Sequence, residues 1–215
     1  MRRLLLIVAV SLLVLVMSIG PALASGADDD VLEAQQTMNQ LMPRIDLVED
    51  GIDGPRTQQA LCGLRRLYGH SDVHRGSLMD ADLEVLRSSD ALTSPNHGDT
   101  YISVDRTCQL VYLAQGGEWV AVMAASTGRA GQATPTMTAN VQWMRPGWHT
   151  SSLYPAPEPN MYNTVYFHGP YAIHGSHHVP PHPASAGCVR LKPNDADFVF
   201  ERTHPGMRVS VYGSF

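Results

Sequence analysis

Residues 167–191 read FHGPYAIHGSHHVPPHPASAGCVRL. The stretch holds His168, His174, His177, His178 and His182 and ends on Ser185-Ala186-Gly187-Cys188-Val189-Arg190. A cysteine flanked by glycine, with histidine nearby, suits a thiolate nucleophile: an imidazole takes the thiol proton and later returns it to a leaving amine. Gly187 lets the main chain approach a substrate carbonyl, so that backbone N–H groups can hold an oxyanion. Arg190 would stabilise negative charge and lower the thiol pKa. Two other chemistries compete on residue type alone. The cysteine could be a core residue or a disulfide partner, or the histidines could hold zinc with Cys188 as a ligand. No His-x-x-x-His pair here sits on a clear helix, and Pro180, Pro181 and Pro183 forbid one, which counts against zinc.

Outward from this stretch the texture is that of short strands. From Thr100 the apolar period is two, through Tyr101, Val104, Leu110–Leu113, Val120, Val122, Val141, Val165–Phe167, Val209, Val211 and Tyr212, with turn residues such as Gly116-Gly117 between the runs. One late helical stretch is expected near Asp195–Glu201. Trp143, Trp148 and Tyr154 fall in a long segment before the histidine-rich stretch; they could line a glycan or peptide surface, but core packing is the expectation. His149 reads as a surface residue.

Residues 28–90 have helical periodicity instead. Val31, Leu32, Met38, Leu41 and Met42 recur at three- and four-residue steps behind Asp28-Asp29-Asp30, which suits a helix N-terminus and its dipole. A second helix opens at Pro55, buries Ala60, Leu61, Leu64, Leu67 and Tyr68, and closes at Gly69. A third is expected to open at Ser77, with Asp80 three residues on and Leu78, Leu83 and Leu86 facing inward. The expected class is α+β: a small three-helix domain over 28–92, a linker at 93–98 and a mostly-β sandwich over 99–215.

The N-terminus bears on compartment. Arg2 and Arg3 precede an almost wholly apolar run, Leu4–Met17, followed by Gly20-Pro21 and the small-residue pattern Ala22-Leu23-Ala24. This reads as a secretory signal, residues 1–24, with cleavage after Ala24. The run is shorter than the ~20 residues of a spanning helix, so no stable membrane partner is expected after cleavage. The whole chain carries 15 Lys and Arg against 20 Asp and Glu. Without a basic surplus to neutralise phosphates, nucleic acid is not an expected partner.

Ala172-Ile173-His174-Gly175 and Pro183-Ala184-Ser185-Ala186-Gly187-Cys188-Val189-Arg190 resemble the catalytic signature of the bacterial L,D-transpeptidases, an isoleucine-His-Gly followed by a Ser-His-Gly-Cys-Val/Ile-Arg block. Ser126-Thr127-Gly128-Arg129, Thr134-Pro135-Thr136 and the run Thr100–Thr127 are similar to the family's upstream strands and strand-turn segment. The resemblance covers roughly residues 99–213. It implies a mixed β-sandwich with the cysteine at the mouth of a cleft. It also implies Cys188 as acyl-enzyme nucleophile, His174 as its base, Gly187 and the Cys188 amide as oxyanion hole, Arg190 as the arginine beside the nucleophile and Ser185 in the family's Ser/Thr place. Ala186 departs from the pattern, where the family usually has histidine; His182 or His178 would be the nearest substitutes. No cofactor is implied. The implied partners are peptidoglycan stem peptides and glycan, and the implied place of work is the cell wall or periplasm.

Upstream, Val48–Leu61 (VEDGIDGPRTQQAL) is similar to peptidoglycan-binding modules, whose turn entering a helix is matched here by Asp53-Gly54-Pro55-Arg56-Thr57. The alternative is a plain helix start with proline in its first turn. If Cys188 is reserved for chemistry, Cys62 and Cys108 remain, an even pair for an oxidising compartment. A bridge between them would staple the two domains; the alternative is two buried thiols. Three functions stay open: a cysteine L,D-transpeptidase (or L,D-carboxypeptidase with water as acceptor), a catalytically impaired peptidoglycan-binding protein, and a zinc-dependent wall hydrolase.

Overall fold

A computed structural model describes residues 28–70, 72–89, 92 and 99–215. The expected leader, 1–24, and the linker, 93–98, lie outside the described residues. The described chain forms helices α1 (Asp29–Leu41), α2 (Pro55–Leu67) and α3 (Asp80–Ser88). It continues with strands β1 (Tyr101–Asp105), β2 (Leu110–Gln115), β3 (Glu118–Ser126), β4 (Met137–Asn140), β5 (Trp143–His149), β6 (Met161–His168), β7 (Tyr171–Gly175) and β8 (Val189–Leu191). Helix α4 (Pro193–Arg202) and strand β9 (Arg208–Tyr212) complete it.

The helices start where their caps allow. An Asp28 carboxylate oxygen accepts from the Asp30 and Val31 amides at 2.9 and 3.3 Å, and Asp29 and Asp30 face the positive end of α1. Pro55 opens α2, where its missing N–H costs nothing. Helix α3 starts at Asp80 rather than near Ser77. The Ser77 carbonyl is already bound by Arg65 (2.8 Å), and Asp82, three residues after Met79, accepts the Met79 amide at 3.0 Å. Asp82 also pairs with Arg65 at 2.6 Å, with both side chains fully buried.

The strands form one nine-stranded sheet in the order β4-β9-β1-β2-β3-β8-β7-β6-β5. β1, β2 and β3 make an antiparallel meander, its second turn formed by Gly116-Gly117 with φ of 60° and 88°, the left-handed pair that a tight hairpin needs. β9 runs parallel to β1. The joint between the halves is the end of β3, where Ala125 and Ser126 pair with Leu191 and Arg190 of β8. β8 lies parallel to β7, and β6 and β5 follow antiparallel. The sheet curls around one core, so that Val111, Met123 and Val209 from one half share it with Phe167, Ile173 and Leu191 from the other, beneath Ala196 and Val199 of α4.

Strands β2 and β3 of the meander are apolar on both faces. Val111 and Leu113 of β2 and Ala121 and Met123 of β3 point into the sheet core, whereas Leu110, Tyr112 and Val122 point outward into a second core with Met38, Met42, Leu61 and Leu64 of the helices. Helix α2 lies so close that a Cβ on Gly63 would fall 2.4 Å from Leu110 Cδ1. Polar contacts cross the same seam: Arg66–Asp105 and Arg44–Asp195, each 2.8 Å, and the buried Gln59 amide, which donates to the Ala125 carbonyl at 3.2 Å and to that of Gln109. Cys62 and Cys108 are joined across it, S–S 2.08 Å with Cα atoms 5.3 Å apart. Among the described residues no helix is long and apolar enough to cross a membrane.

Candidate active site

Parallel pairing of β7 and β8 sets His174 opposite Arg190 and leaves Cys188 at the mouth of β8. The segment between them is tied to the sheet along its length. The Ser176 amide donates to the Leu191 carbonyl (2.8 Å), the Ser126 hydroxyl to that of His182 (2.7 Å), and the Ala184 and Ser185 amides to that of Thr127 (2.9 and 3.0 Å). Arg56, from the first turn of α2, donates to the Val179 carbonyl. Closer to the cysteine, the Ser185 hydroxyl donates to the Cys188 carbonyl and accepts the Gly187 amide at 3.0 Å. The Thr134 hydroxyl donates to the Gly187 carbonyl at 2.8 Å and accepts the Gly128 amide at 2.9 Å. Gly187 has φ +120°, and a Cβ there would meet Tyr171 Cε1 at 2.9 Å.

His174 is buried. Its Nδ1 lies 2.9 Å from the Gly175 carbonyl, which can only accept, so Nδ1 carries the hydrogen and Nε2 keeps a lone pair. Burial pushes its pKa down to about 4; the bond to Gly175 opposes this, and the neighbouring Arg190 and His149 add to it. The Cys188 thiol lies 3.5 Å from the Pro170 carbonyl. Cys188 as a whole is half-buried, but its crowded sulfur has its pKa raised by burial, against smaller lowering effects of the Ala172 backbone and Arg190. At neutral pH the thiol and the imidazole, which line the same cleft, are therefore both uncharged. Arg190 is itself pushed down by burial, with the Cys188 sulfur working the other way and Arg129 adding to the depression. Among the described residues no carboxylate forms an ion pair with Arg190 or Arg129.

His174, Cys188 and Arg190 line one cleft of about 270 Å³, together with Ser185, His178 and Tyr154. A second cleft of about 100 Å³ reaches Cys188 past Tyr166, Pro170 and Tyr171. Ser151, Tyr154, Met161 and Ala186 line both, so the two meet at the sulfur beneath the segment between β5 and β6. A larger cavity of about 380 Å³ lies at the seam between helices and sheet, beside Arg56 and Lys192, and contains neither cysteine nor histidine.

The structure thus gathers Cys188, His174, Arg190 and Ser185 at one cleft. Gly187 precedes Cys188 without lining the cleft, and its N–H is spent on Ser185, so it serves the loop's conformation rather than standing as a free oxyanion donor. His178 reaches the cleft and His182 does not line it. Three readings change. His149, expected at the surface, is buried, with its Nε2 3.3 Å from the Thr164 hydroxyl. Trp143 and Trp148, expected in the core, are exposed and stack on Tyr166 and Tyr162; Tyr154 is exposed as well. β5 is an edge strand whose register breaks between Arg145 and Trp148, around Pro146 and Gly147, and that break hides the alternation which would have sorted these side chains. No group of three or more His, Cys, Asp or Glu side chains among the described residues is placed to hold a metal ion.

The L,D-transpeptidase catalytic domain (YkuD) matches residues 99–211. Among solved structures, the L,D-transpeptidase of Xylanimonas cellulosilytica is similar at TM-score 0.63 and 27% identity, over 87% of this chain and 95% of that one. The L,D-transpeptidase (Yku) of Stackebrandtia nassauensis shares the fold at TM-score 0.53 and 22% identity, over 87% and 93% of the two chains. No curated protein matches the sequence. The family match spans β1 to β9 and contains every residue that lines the cleft around Cys188, and on that ground the chain belongs to the L,D-transpeptidase catalytic-domain family, a family of acyltransferases.

Proposed function

We propose that this protein is an exported, cysteine-dependent L,D-transpeptidase acting on peptidoglycan stem peptides. The observation that carries the reading is the meeting at one cleft of a half-buried thiol, a neutral imidazole whose Nε2 keeps its lone pair and a guanidinium without a carboxylate partner among the described residues. His174 Nε2 takes the Cys188 proton as Sγ attacks the carbonyl carbon of the third, L-centred residue of a donor stem. The Cys188 amide, with Arg190 beside it, stabilises the oxyanion. Collapse breaks the C–N bond, His174 returns its proton to the leaving amine, and a thioester remains on Cys188. An acceptor amine of a neighbouring stem then gives its proton to His174 as it attacks the thioester, and the expelled Sγ recovers that proton from His174. With water as acceptor the same steps make an L,D-carboxypeptidase.

Export is supported by the leader-like residues 1–24 and by the oxidised Cys62–Cys108 pair. The three-helix unit is proposed as a wall-binding element on its resemblance alone. Ala186, where the family usually carries histidine, lines both clefts, and its small side chain leaves the sulfur open from two sides. The test is covalent labelling. A carbapenem should acylate the wild type, with the added mass on the peptide containing Cys188, and should leave a folded Cys188→Ala protein unlabelled. Equal labelling of the two would overturn the assignment.

A further inference from the structure

The sheet sets out a row of residues that begins at the thiol and ends on an exposed tryptophan. Cys188 directly precedes Val189, which pairs with Ile173, so it stands beside Ala172 of β7. Ala172 pairs with Tyr166 of β6, and Tyr166 with Trp143 of β5. Ile173, Val165, Phe167 and Met144 pack on the sheet core, so Ala172, Tyr166 and Trp143, one residue removed on each strand, occupy the opposite face. The row from Cys188 to Trp143 therefore crosses three strand spacings, about 14 Å.

β5 is the edge of the sheet, and Trp143 ends the row. Its indole lies parallel to the Tyr166 ring, with centroids 3.7 Å and planes 11° apart, and is nevertheless 46% exposed. Tyr166 covers one face of the indole, so the exposure falls on its other face and rim. Single exposed apolar side chains are ordinary. This one differs because the ring it stacks on, Tyr166, lines the cleft of about 100 Å³ that reaches Cys188. Arg145, two residues along β5 on the same face, is exposed and forms no ion pair among the described residues. The edge thus offers a flat apolar ring with N–H donors beside it.

We propose that Trp143, stacked on Tyr166, is a platform for a sugar ring of the glycan strand that carries the donor stem. The inference rests on the peptidoglycan reading of the cleft. A pyranose presents a face of C–H bonds, which suits the electron-rich face of an indole. The oxygens around its rim suit the guanidinium of Arg145. Length points to the same occupant. Between the carbonyl of the third stem residue and the sugar lie three residues and the short acid that joins them to the ring. Extended, four such units span about 14 Å, before the ring itself is added. That matches the row. A stem that leaves the sulfur past Tyr166, with its third residue at Cys188, brings its sugar to Trp143.

One measurement needs no turnover: NMR of the indole N–H groups, assigned with a folded Trp143→Phe protein. A stem-free tetramer of β-1,4-linked N-acetylglucosamine should shift the Trp143 resonance of the wild type and leave that of Trp119, on β3, in place. With turnover, a disaccharide-tetrapeptide donor should show a KM below that of the free tetrapeptide by about three- to tenfold, the scale of one ring contact. A folded Trp143→Ala protein should bring the two KM values together, and Trp143→Phe, which keeps a ring, should restore part of the gap. A Trp143 resonance unmoved by the sugar, or a KM gap that survives Trp143→Ala, would overturn the proposal. So would a resonance that moves with protein concentration and not with sugar, since a second copy of the chain would then be what covers the ring. If carbapenem acylation fails while the sugar still shifts Trp143, the catalytic reading fails and the platform stands.

Discussion

A histidine whose pKa falls on folding leaves a mark on stability as well as on rate. The unfolded His174 takes up its proton near the ordinary value of about 6.5, whereas the folded one resists until about 4. As pH falls through that interval the unfolded chain binds the proton first, so stability present above pH ~6.5 is lost progressively down to about 4. His149, also lowered by burial, acts in the same direction. Urea denaturation at pH 7 and at pH 5 should therefore show a smaller loss in His174→Gln than in the wild type; equal losses would mean the ring is not buried as described. The residues of this pair differ in how readable they were. His174, Cys188 and Arg190 stand out because a short parallel pairing brings a local motif together. Nothing near His149 in sequence marks it, because its burial depends on two strands and a bulge that come later in the chain.

The elements around the cysteine act as a clamp on one backbone conformation. Ser185 and Thr134 hold Gly187 from its two peptide groups, and Tyr171 closes the space where a side chain would go. Gly187→Ala must take a Cβ into a φ of +120° and against that ring. The expected cost is about 1–3 kcal/mol of stability, together with a slower carbapenem acylation because Cys188 moves with the loop. Thermal melts and acylation rates check the two effects separately, and an unchanged rate would detach Cys188 from the glycine's conformation. At this scale periodicity revealed α1, α2 and the short strands, but not how they join. The start of α3 was misread by three residues because the decisive carboxylate, Asp82, pairs with a distant arginine. The bulged edge strand β5 was illegible for the reason that it is bulged.

In the whole molecule, helices and sheet are one folded body. The disulfide closes 46 residues of chain, which in the chain-entropy model is worth about 4 kcal/mol against the unfolded state. The double variant Cys62→Ser, Cys108→Ser should lower the melting temperature markedly while keeping carbapenem acylation at low temperature, since neither cysteine lines the cleft. Loss of acylation in a folded variant would show that the bridge governs the cleft as well. The α+β class and a cysteine at a cleft were open to reading from the residues and their family likeness. The shared core was not, because alternation shows that a strand has two faces but cannot say what covers the outer one.

The outward row of Leu110, Tyr112 and Val122 has a consequence for how such a protein can be divided, in the laboratory or by evolution. A gene fragment encoding residues 99–215 would carry the whole family-matching region and still make a poor product. Its meander would present greasy side chains to water where Met38, Leu61 and Leu64 now sit, along with the unpaired thiol of Cys108. Expressed alone, that fragment should elute from a sizing column as large aggregates, and the intact chain as a discrete species. The transferable cassette is thus longer than the catalytic signature: any recombination that moves the enzyme to a new host protein must carry its helical cover with it.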